Sequence, residues 1–281
     1  MTIKNIFLEN FHDISIVHAS GKPDFQNNFP HSHSHSEVFI HLSGEMDLFV
    51  ENNIYKVTDH TIRLYASGEL HAGRYSSGCR DFNWYQISLP RSFFCKEPYA
   101  ALGAVFFDRT PGEHNVFSSA RRNELYECMG EIFSAYEEEN PLAECIAAGN
   151  IVRVLCIIND SANNTAHYTA GNTRRLNEII EIINRESSSV NCIADLCRLT
   201  HYSSSYLSRM FRQILGTTPY KFIIGKKLDN AKKLLADGHT VNTACEYAGF
   251  DDYNNFITLF RKTFGVTPKQ YQLAAERANG N

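Results

Sequence analysis

Four side chains in the first quarter of the chain have the types and spacing of a metal site. His31 and His33 are two apart, so on an extended strand they point to one face. With Glu37 and His71 they complete a set of three imidazoles and one carboxylate, a donor mix suited to a divalent transition metal. The run His31-Ser-His33-Ser-His35 equally suits a polar loop without metal, and the sequence leaves both readings open. The charge distribution points to a second chemistry. Residues 1–172 hold 12 Lys and Arg against 21 Asp and Glu, whereas residues 173–281 hold 15 against 10. A basic segment joined to an acidic one is a candidate for contact with a polyanion.

The elements that position the basic residues show in an internal repeat. Phe211-Arg212-x-x-x-Gly216-x-Thr218-Pro219 recurs 49 residues later as Phe260-Arg261-x-x-x-Gly265-x-Thr267-Pro268. Gly216 and Gly265 suit the left-handed position just past a helix end. Thr218 and Thr267 suit helix caps, with Pro219 and Pro268 in the first turn that follows. Ahead of each phrase the apolar spacing predicts a short helix, a tight turn and a second helix: Ile193, Leu196, Cys197 and Leu199 before a helix capped by Ser203, and Ala244, Cys245 and Ala248 before one capped by Asp251 or Asp252. Between the copies, Pro219 to Ala236 reads as one helix, with Tyr220, Ile224, Leu228, Ala231 and Leu235 buried and Lys221, Lys232 and Lys233 facing water. Eighteen residues of helix span roughly 27 Å, close to the roughly 34 Å between successive major grooves of a duplex.

Length and composition bound the rest. At 281 residues, 43% hydrophobic and 21% charged, the chain suits two globular domains. The eight cysteines form no C-x-x-C pair, and several fall in apolar helical patterns, which suits buried thiols in a reducing compartment. No uninterrupted apolar run reaches the roughly 18–20 residues of a membrane span. The opening MTIKNIFLENFHDIS has acidic residues and no small-residue cleavage site, so a secretory signal is not expected. These features exclude secreted, membrane-embedded and disordered classes and imply a cytoplasmic location.

Residues 190–271 resemble the AraC/XylS family of transcription regulators, through Tyr206-Leu207-Ser208-Arg209-x-Phe211, Gly216-x-Thr218-Pro219, Ala231-x-x-Leu234-Leu235, Gly249-Phe250 and Phe260-Arg261-Lys262-x-x-Gly265-x-Thr267-Pro268-x-x-Tyr271. The resemblance implies a domain with paired helix-turn-helix motifs that binds double-stranded DNA. It places Ser204, Ser205, Ser208 and Arg209 of the first recognition helix, and Tyr253, Asn254, Asn255 and Thr258 of the second, against base edges. Arg209 suits guanine and the asparagines suit adenine. Arg212, Arg261, Lys262 and Lys269 suit phosphates. Two positions depart from the family's pattern: His201 stands where the first turn usually has Gly, and Lys227 stands where the linking helix usually has Arg.

From Val38 to about Leu89, short β-type runs separated by Gly and Asn turns predict a small barrel or jelly roll. His31-x-His33-x-x-x-Glu37 followed by Gly44, and then Gly68-x-x-His71, resemble the two cupin motifs. The resemblance implies a cupin-type sensor barrel, with His33, Phe39, His41, Arg63, Tyr65, Trp84 and Tyr85 as candidates to line an effector pocket. Residues 119–160 change to helical period, breaking at Asn140-Pro141, and look like the family's dimerisation hairpin.

The expected architecture is therefore α+β with two domains: a cupin-like effector-sensing barrel at 1–118, a helical hairpin at 119–160, a linker at 161–172 and an all-α DNA-binding domain at 173–281, its two helix-turn-helix motifs joined by a linking helix. The expected function is a ligand-responsive, sequence-specific transcription regulator, an activator that senses a small polar organic effector such as a sugar. It is not expected to be an enzyme. Its partners would be double-stranded DNA, the effector, a second copy in a homodimer and RNA polymerase, with no membrane and no obligatory cofactor. The competing reading is a metal-dependent cupin enzyme fused to a DNA-binding domain, with the metal held by His31, His33, Glu37 and His71.

Overall fold

The computed structural model describes residues 1–23, 30–51, 53–95, 97–164, 174–186 and 189–279. Compactness divides the chain into two units, Met1–Asn27 with Ser32–Gly171, and Asn28–His31 with Asn172–Asn281.

The first unit contains β1 (Thr2–Leu8), β2 (Ile14–Gly21), β3 (His35–Ser43), β4 (Met46–Val50), β5 (Asn53–Val57), β6 (Thr61–Tyr65), β7 (His71–Tyr75), β8 (Phe82–Pro90), the short helix α1 (Ala104–Phe107), β9 (Val116–Ser118), α2 (Arg122–Glu137) and α3 (Ala143–Asn164). The strands pair antiparallel in two sheets, one ordered β1-β2-β8-β3-β6-β9 and the other β5-β4-β7. Two facing sheets are the arrangement of double-sheet jelly rolls, to which cupins belong. The strand runs read from sequence begin at Val38, and the structure adds β1 and β2 ahead of them. In β1 only Ile6 and Leu8, at its end, are buried, so the apolar signal of this edge strand is short.

Both faces of the larger sheet are covered, and the period of two sorts its side chains. Val38, Ile40, Ile62, Leu64, Ile87 and Leu89 join Leu125, Met129, Ile132, Ile151, Val154 and Leu155 of the helices in one apolar core. Phe39 and Tyr65, from the opposite face, join Leu48, Val50, Tyr55 and Val57 of the smaller sheet in another. By length and composition alone, Ala143–Asn163 of α3 is apolar enough to cross a membrane. Its Ala147, Ile151, Val154, Leu155, Ile157 and Ile158 are instead committed to the core beneath the sheet. The linker expected at 161–172 lies mostly outside the described residues; 161–164 continue α3.

The second unit is helical: α4 (Arg174–Arg185), α5 (Ile193–Thr200), α6 (Ser204–Leu215), α7 (Pro219–Ala236), α8 (Val241–Tyr247), α9 (Tyr253–Phe264) and α10 (Pro268–Asn279). The stop and start signals of the repeat fall where the sequence places them. Gly216 and Gly265 take φ of 66° and 76°. Ser203 accepts from the Tyr206 amide, Thr218 from the Lys221 amide, and Asp252, rather than Asp251, from the amides of Asn254 and Asn255. His201 closes α5 in the left-handed region at φ 58°, the task the family usually gives to glycine.

The linking helix α7 differs from its expected pattern. Tyr220 is half exposed and Ile224 only partly buried, while Phe222, Ile223, Lys226, Lys227, Asp229 and Lys232 are buried. Both helix-turn-helix motifs and α10 pack around α7, so it is covered on most sides and a single apolar stripe does not describe it. Lys232, expected in water, lies 4.9 Å above the Phe264 ring, its stem covered by apolar side chains.

Candidate functional site

Strand register decides which candidate pocket residues meet. On β3, Glu37 stands across from Tyr65 and Ser88, Phe39 across from Arg63 and Gln86, and His41 across from Trp84. Glu37, Phe39, His41, Arg63, Tyr65 and Trp84 thus share the inner face of the larger sheet. Tyr85 does not belong with them. One residue past Trp84, it points to the opposite face, where its ring stacks on Phe133 of α2 with centroids 5.7 Å apart. The expectation that Tyr85 lines the pocket is corrected by this parity.

The inner face is aromatic and polar together. Trp84 Nε1 donates to the Tyr75 hydroxyl at 3.0 Å, and Phe39 meets Trp84 and Tyr65 edge-on. The Arg63 guanidinium lies 3.7 Å from the centre of the Phe39 ring, a cation–π contact. His41 is fully buried, and burial, reinforced by the Arg63 charge, pushes its pKa well below the ordinary histidine value, so its ring is neutral.

At one end of this face the metal candidates gather, with one change of membership and one of placement. His33 precedes β3 rather than lying on a strand, and His31 is counted with the second unit. The set within the first unit is His33, Glu37 and His71, joined by His35 from the same polar run of the sequence. His33 and His71 each donate Nδ1–H to a backbone carbonyl, of His35 at 2.8 Å and of Glu69 at 2.9 Å. Their Nε2 atoms consequently turn toward Glu37 Oε2, at 3.0 and 4.0 Å, and His35 Nε2 lies 3.3 Å from Oε1. Burial alone would raise the Glu37 pKa. Hydrogen bonds from His33 and His35, with the electrostatic influence of His33 and His71, outweigh it and hold the carboxyl well below its usual range. Fixed tautomers with Nε2 converging on a carboxylate are what a metal site requires, so these residues fit a divalent ion.

Sequence reasoning missed the supports of this cluster. Gln86 donates to Glu37 at 2.6 Å. Glu69, buried, accepts two bonds from Arg109 at 2.7 and 2.6 Å and further bonds from the Ala66 and Gly112 amides, which fixes the loop leading into His71. Position 69 lies inside Gly68-x-x-His71, where the motif leaves the residue unspecified. A groove of about 530 Å³ bordered by Arg109, His114 and Asn159 lies away from the sheet interior. Its Arg109 is committed to Glu69, and its Asn159 to the backbone of Leu102, Val105 and Leu155, so these two groups are not aimed at a ligand.

In the second unit the candidate reading faces are open to solvent. Ser204, Ser205, Arg209, Tyr253, Asn254, Asn255 and Thr258 are exposed and Ser208 is half-buried. Arg212, Arg261, Lys262 and Lys269 are also exposed, while Phe211, Phe256 and Phe260 form the cores behind them. The Thr258 hydroxyl donates to the Asn254 carbonyl, one turn back on its own helix. Lys227 belongs to neither face. It is buried and reaches Asn191, ahead of the first motif, and the Gly249 carbonyl oxygen, at the turn of the second.

Residues 196–274 match a helix-turn-helix domain family. The chain is 22% identical over 246 residues to the probable transcriptional regulator LumQ of Photobacterium leiognathi, an alignment covering 86% of this chain and 91% of that one. It is 25% identical over 221 residues to the arabinose operon regulatory protein of Escherichia coli K12, covering 76% and 72%. A crystal structure of ToxT from Vibrio cholerae O395 aligns over 92% of this chain and 97% of its own, at 14% identity and a TM-score of 0.37. The repeat, the capped helix pairs and the exposed polar faces agree with the domain match and with the two aligned regulators: the chain is a DNA-binding transcription regulator whose second unit carries an AraC-type helix-turn-helix domain.

Proposed function

We propose that the regulator is ligand-responsive and sequence-specific. Ser204, Ser205, Ser208 and Arg209 of α6, and Tyr253, Asn254, Asn255 and Thr258 of α9, read base edges. Arg212, Arg261, Lys262 and Lys269 hold phosphates. A small polar organic effector occupies the space between the sheets, against His33, Phe39, His41, Arg63, Tyr65 and Trp84. The protein acts in the cytoplasm as a homodimer joined through the helical hairpin, and as an activator it contacts RNA polymerase. Effector binding shifts the population able to engage two half-sites. The observation that carries this reading is the face of buried aromatic and hydrogen-bonding side chains in the first unit, on a chain whose second unit exposes two capped recognition helices. Relatives whose names refer to arabinose and raffinose operons, and an activator named RhaR, support a sugar-like effector and activation.

Selection of duplexes from a random pool, repeated with and without sugars and sugar derivatives, tests it. The expected result is a defined operator with affinity or spacing that changes when one compound is present. Binding without base preference, indifferent to every compound, would leave an architectural DNA binder instead.

A second reading, a divalent metal on His33, Glu37 and His71, is favoured by the convergence of their Nε2 and carboxylate atoms. When bound, such an ion would act as a Lewis acid toward an oxygen ligand. Metal content of the purified protein, with His71→Ala as control, decides it. Turnover that disappears with His33 or His71 would turn the case toward the cupin enzyme.

A further inference from the structure

The inner face of the larger sheet holds a cation without a counter-ion. Arg63 is 6% exposed. Its Nη1 donates to the Tyr65 hydroxyl at 3.1 Å and lies 3.3 Å from the Met46 sulfur, and the Phe39 ring covers its plane. None of these partners is an anion. Among the described residues its Nε finds no acceptor and no carboxylate lies within ion-pair distance. The acid on the same face, Glu37, is already bonded to His35 and Gln86 and paired with His33. A guanidinium does not lose its proton on burial, so the charge stays where the chain puts it. Ring faces and a phenol offset part of the cost, but a buried charge calls for an opposite one.

His41 lies on the same face, two residues beyond Phe39 and across from Trp84. It is fully buried, and among the described residues neither ring nitrogen has a partner. A neutral imidazole presents one donor and one acceptor there. Buried polar nitrogens are nearly always satisfied, so three of them orphaned on one face mark where a bound molecule makes its contacts. Water supplies a hydrogen bond but does not neutralise a guanidinium.

We infer that the effector carries a single carboxylate, held by Arg63, and a hydroxyl for His41, on a small body lying against Phe39 and Trp84. The class is a hydroxycarboxylic acid such as a sugar acid, rather than a neutral sugar. One cation, on a face that also carries the Glu37 carboxylate, suits one negative charge better than the two of a phosphate monoester. The inference rests on the effector-sensing reading above and narrows its ligand.

Calorimetric titration of the full chain with matched pairs tests it: glucuronate against glucose, galacturonate against galactose, and lactate against propane-1,2-diol. The expected result is binding of an acid at least about tenfold tighter than its neutral partner, with that preference lost in Arg63→Gln. Neutral compounds binding as well as acids overturn the inference while leaving effector sensing intact. Melting of the ligand-free protein gives a second, ligand-independent measurement. Arg63→Met is expected to melt above wild type, because it removes an uncompensated charge and keeps the stem. A variant that melts lower or fails to fold makes Arg63 a structural group and also overturns the inference. Operator binding that no compound alters, alongside a raised melting temperature in Arg63→Met, counts against the effector reading and not against the anion site.

Discussion

His41 ties stability to pH through a proton it does not accept. Folded, its pKa is well below the ordinary value, first because it is buried and then because Arg63 is near. Unfolded, it titrates near 6.5. Below that pH the unfolded chain binds a proton that the folded chain refuses, so stability falls as pH drops, by up to about 1.4 kcal/mol per unit until the folded pKa is reached. His41→Gln should remove this contribution, and urea midpoints between pH 7.5 and 5 should fall less steeply in the variant. Arg209 has a different task. It is exposed, with its guanidinium 5.9 Å from the Tyr206 ring, and makes no ion pair among the described residues that would divert it. Arg209→Ala should relax base preference at one operator position, by about 1–3 kcal/mol of discrimination, and leave thermal stability unchanged. An unaltered selection profile would remove Arg209 from the reading set. Both residues were named from the sequence, Arg209 through the resemblance carried by Tyr206-Leu207-Ser208-Arg209-x-Phe211 and His41 among the candidates to line the pocket. That His41 is partnerless depends on strand register, which alternation alone leaves free by one residue.

At the scale of elements, two lysines separate structure from contact. Lys227 sits inside α7 and bonds Asn191 and the Gly249 carbonyl, joining the approaches to both motifs. Burial lowers its pKa, with Asp251 and Asp195 acting to raise it. Lys227→Met removes the charge-assisted hydrogen bond to the half-buried Gly249 carbonyl and should cost the helical unit on the order of 2 kcal/mol, read as an earlier melt. Lys262, exposed in the last turn of α9, should show the reverse. Lys262→Ala leaves the melt in place, weakens binding to all duplexes alike and reduces the salt slope by about one unit. The repeat made the helix ends legible, because Ser203, Thr218, Gly216 and Gly265 act within a few residues of themselves. The surroundings of α7 were not legible. A period of 3.6 identifies one buried face, and a helix enclosed by neighbours on several sides buries lysine stems that the period assigns to water.

At the scale of the molecule, compactness divides the chain close to where charge does. The acidic unit and the basic unit each have their own core, and the contact boundary at Gly171–Asn172 adjoins the charge boundary. Removing residues 1–165 should leave a folded, monomeric protein that binds DNA without responding to any effector. Circular dichroism, light scattering and gel shift together check this, and an aggregated product would contradict independent folding. The hairpin shows where sequence stops. Leu125, Met129 and Ile132, on the hairpin expected to dimerise, pack into the core beneath the sheet, so a dimer joined there would use the hairpin's other faces. One more consequence follows from the larger sheet, whose strands β3, β6 and β8 carry polar groups on one face and the bed for α2 and α3 on the other. Adding or deleting a single codon within these strands exchanges the two faces, setting Arg63 among leucines and Ile62 beside Glu37. Relatives sharing this design should therefore differ in length only at the hairpin tips, while ligand preference changes by substitution at fixed positions.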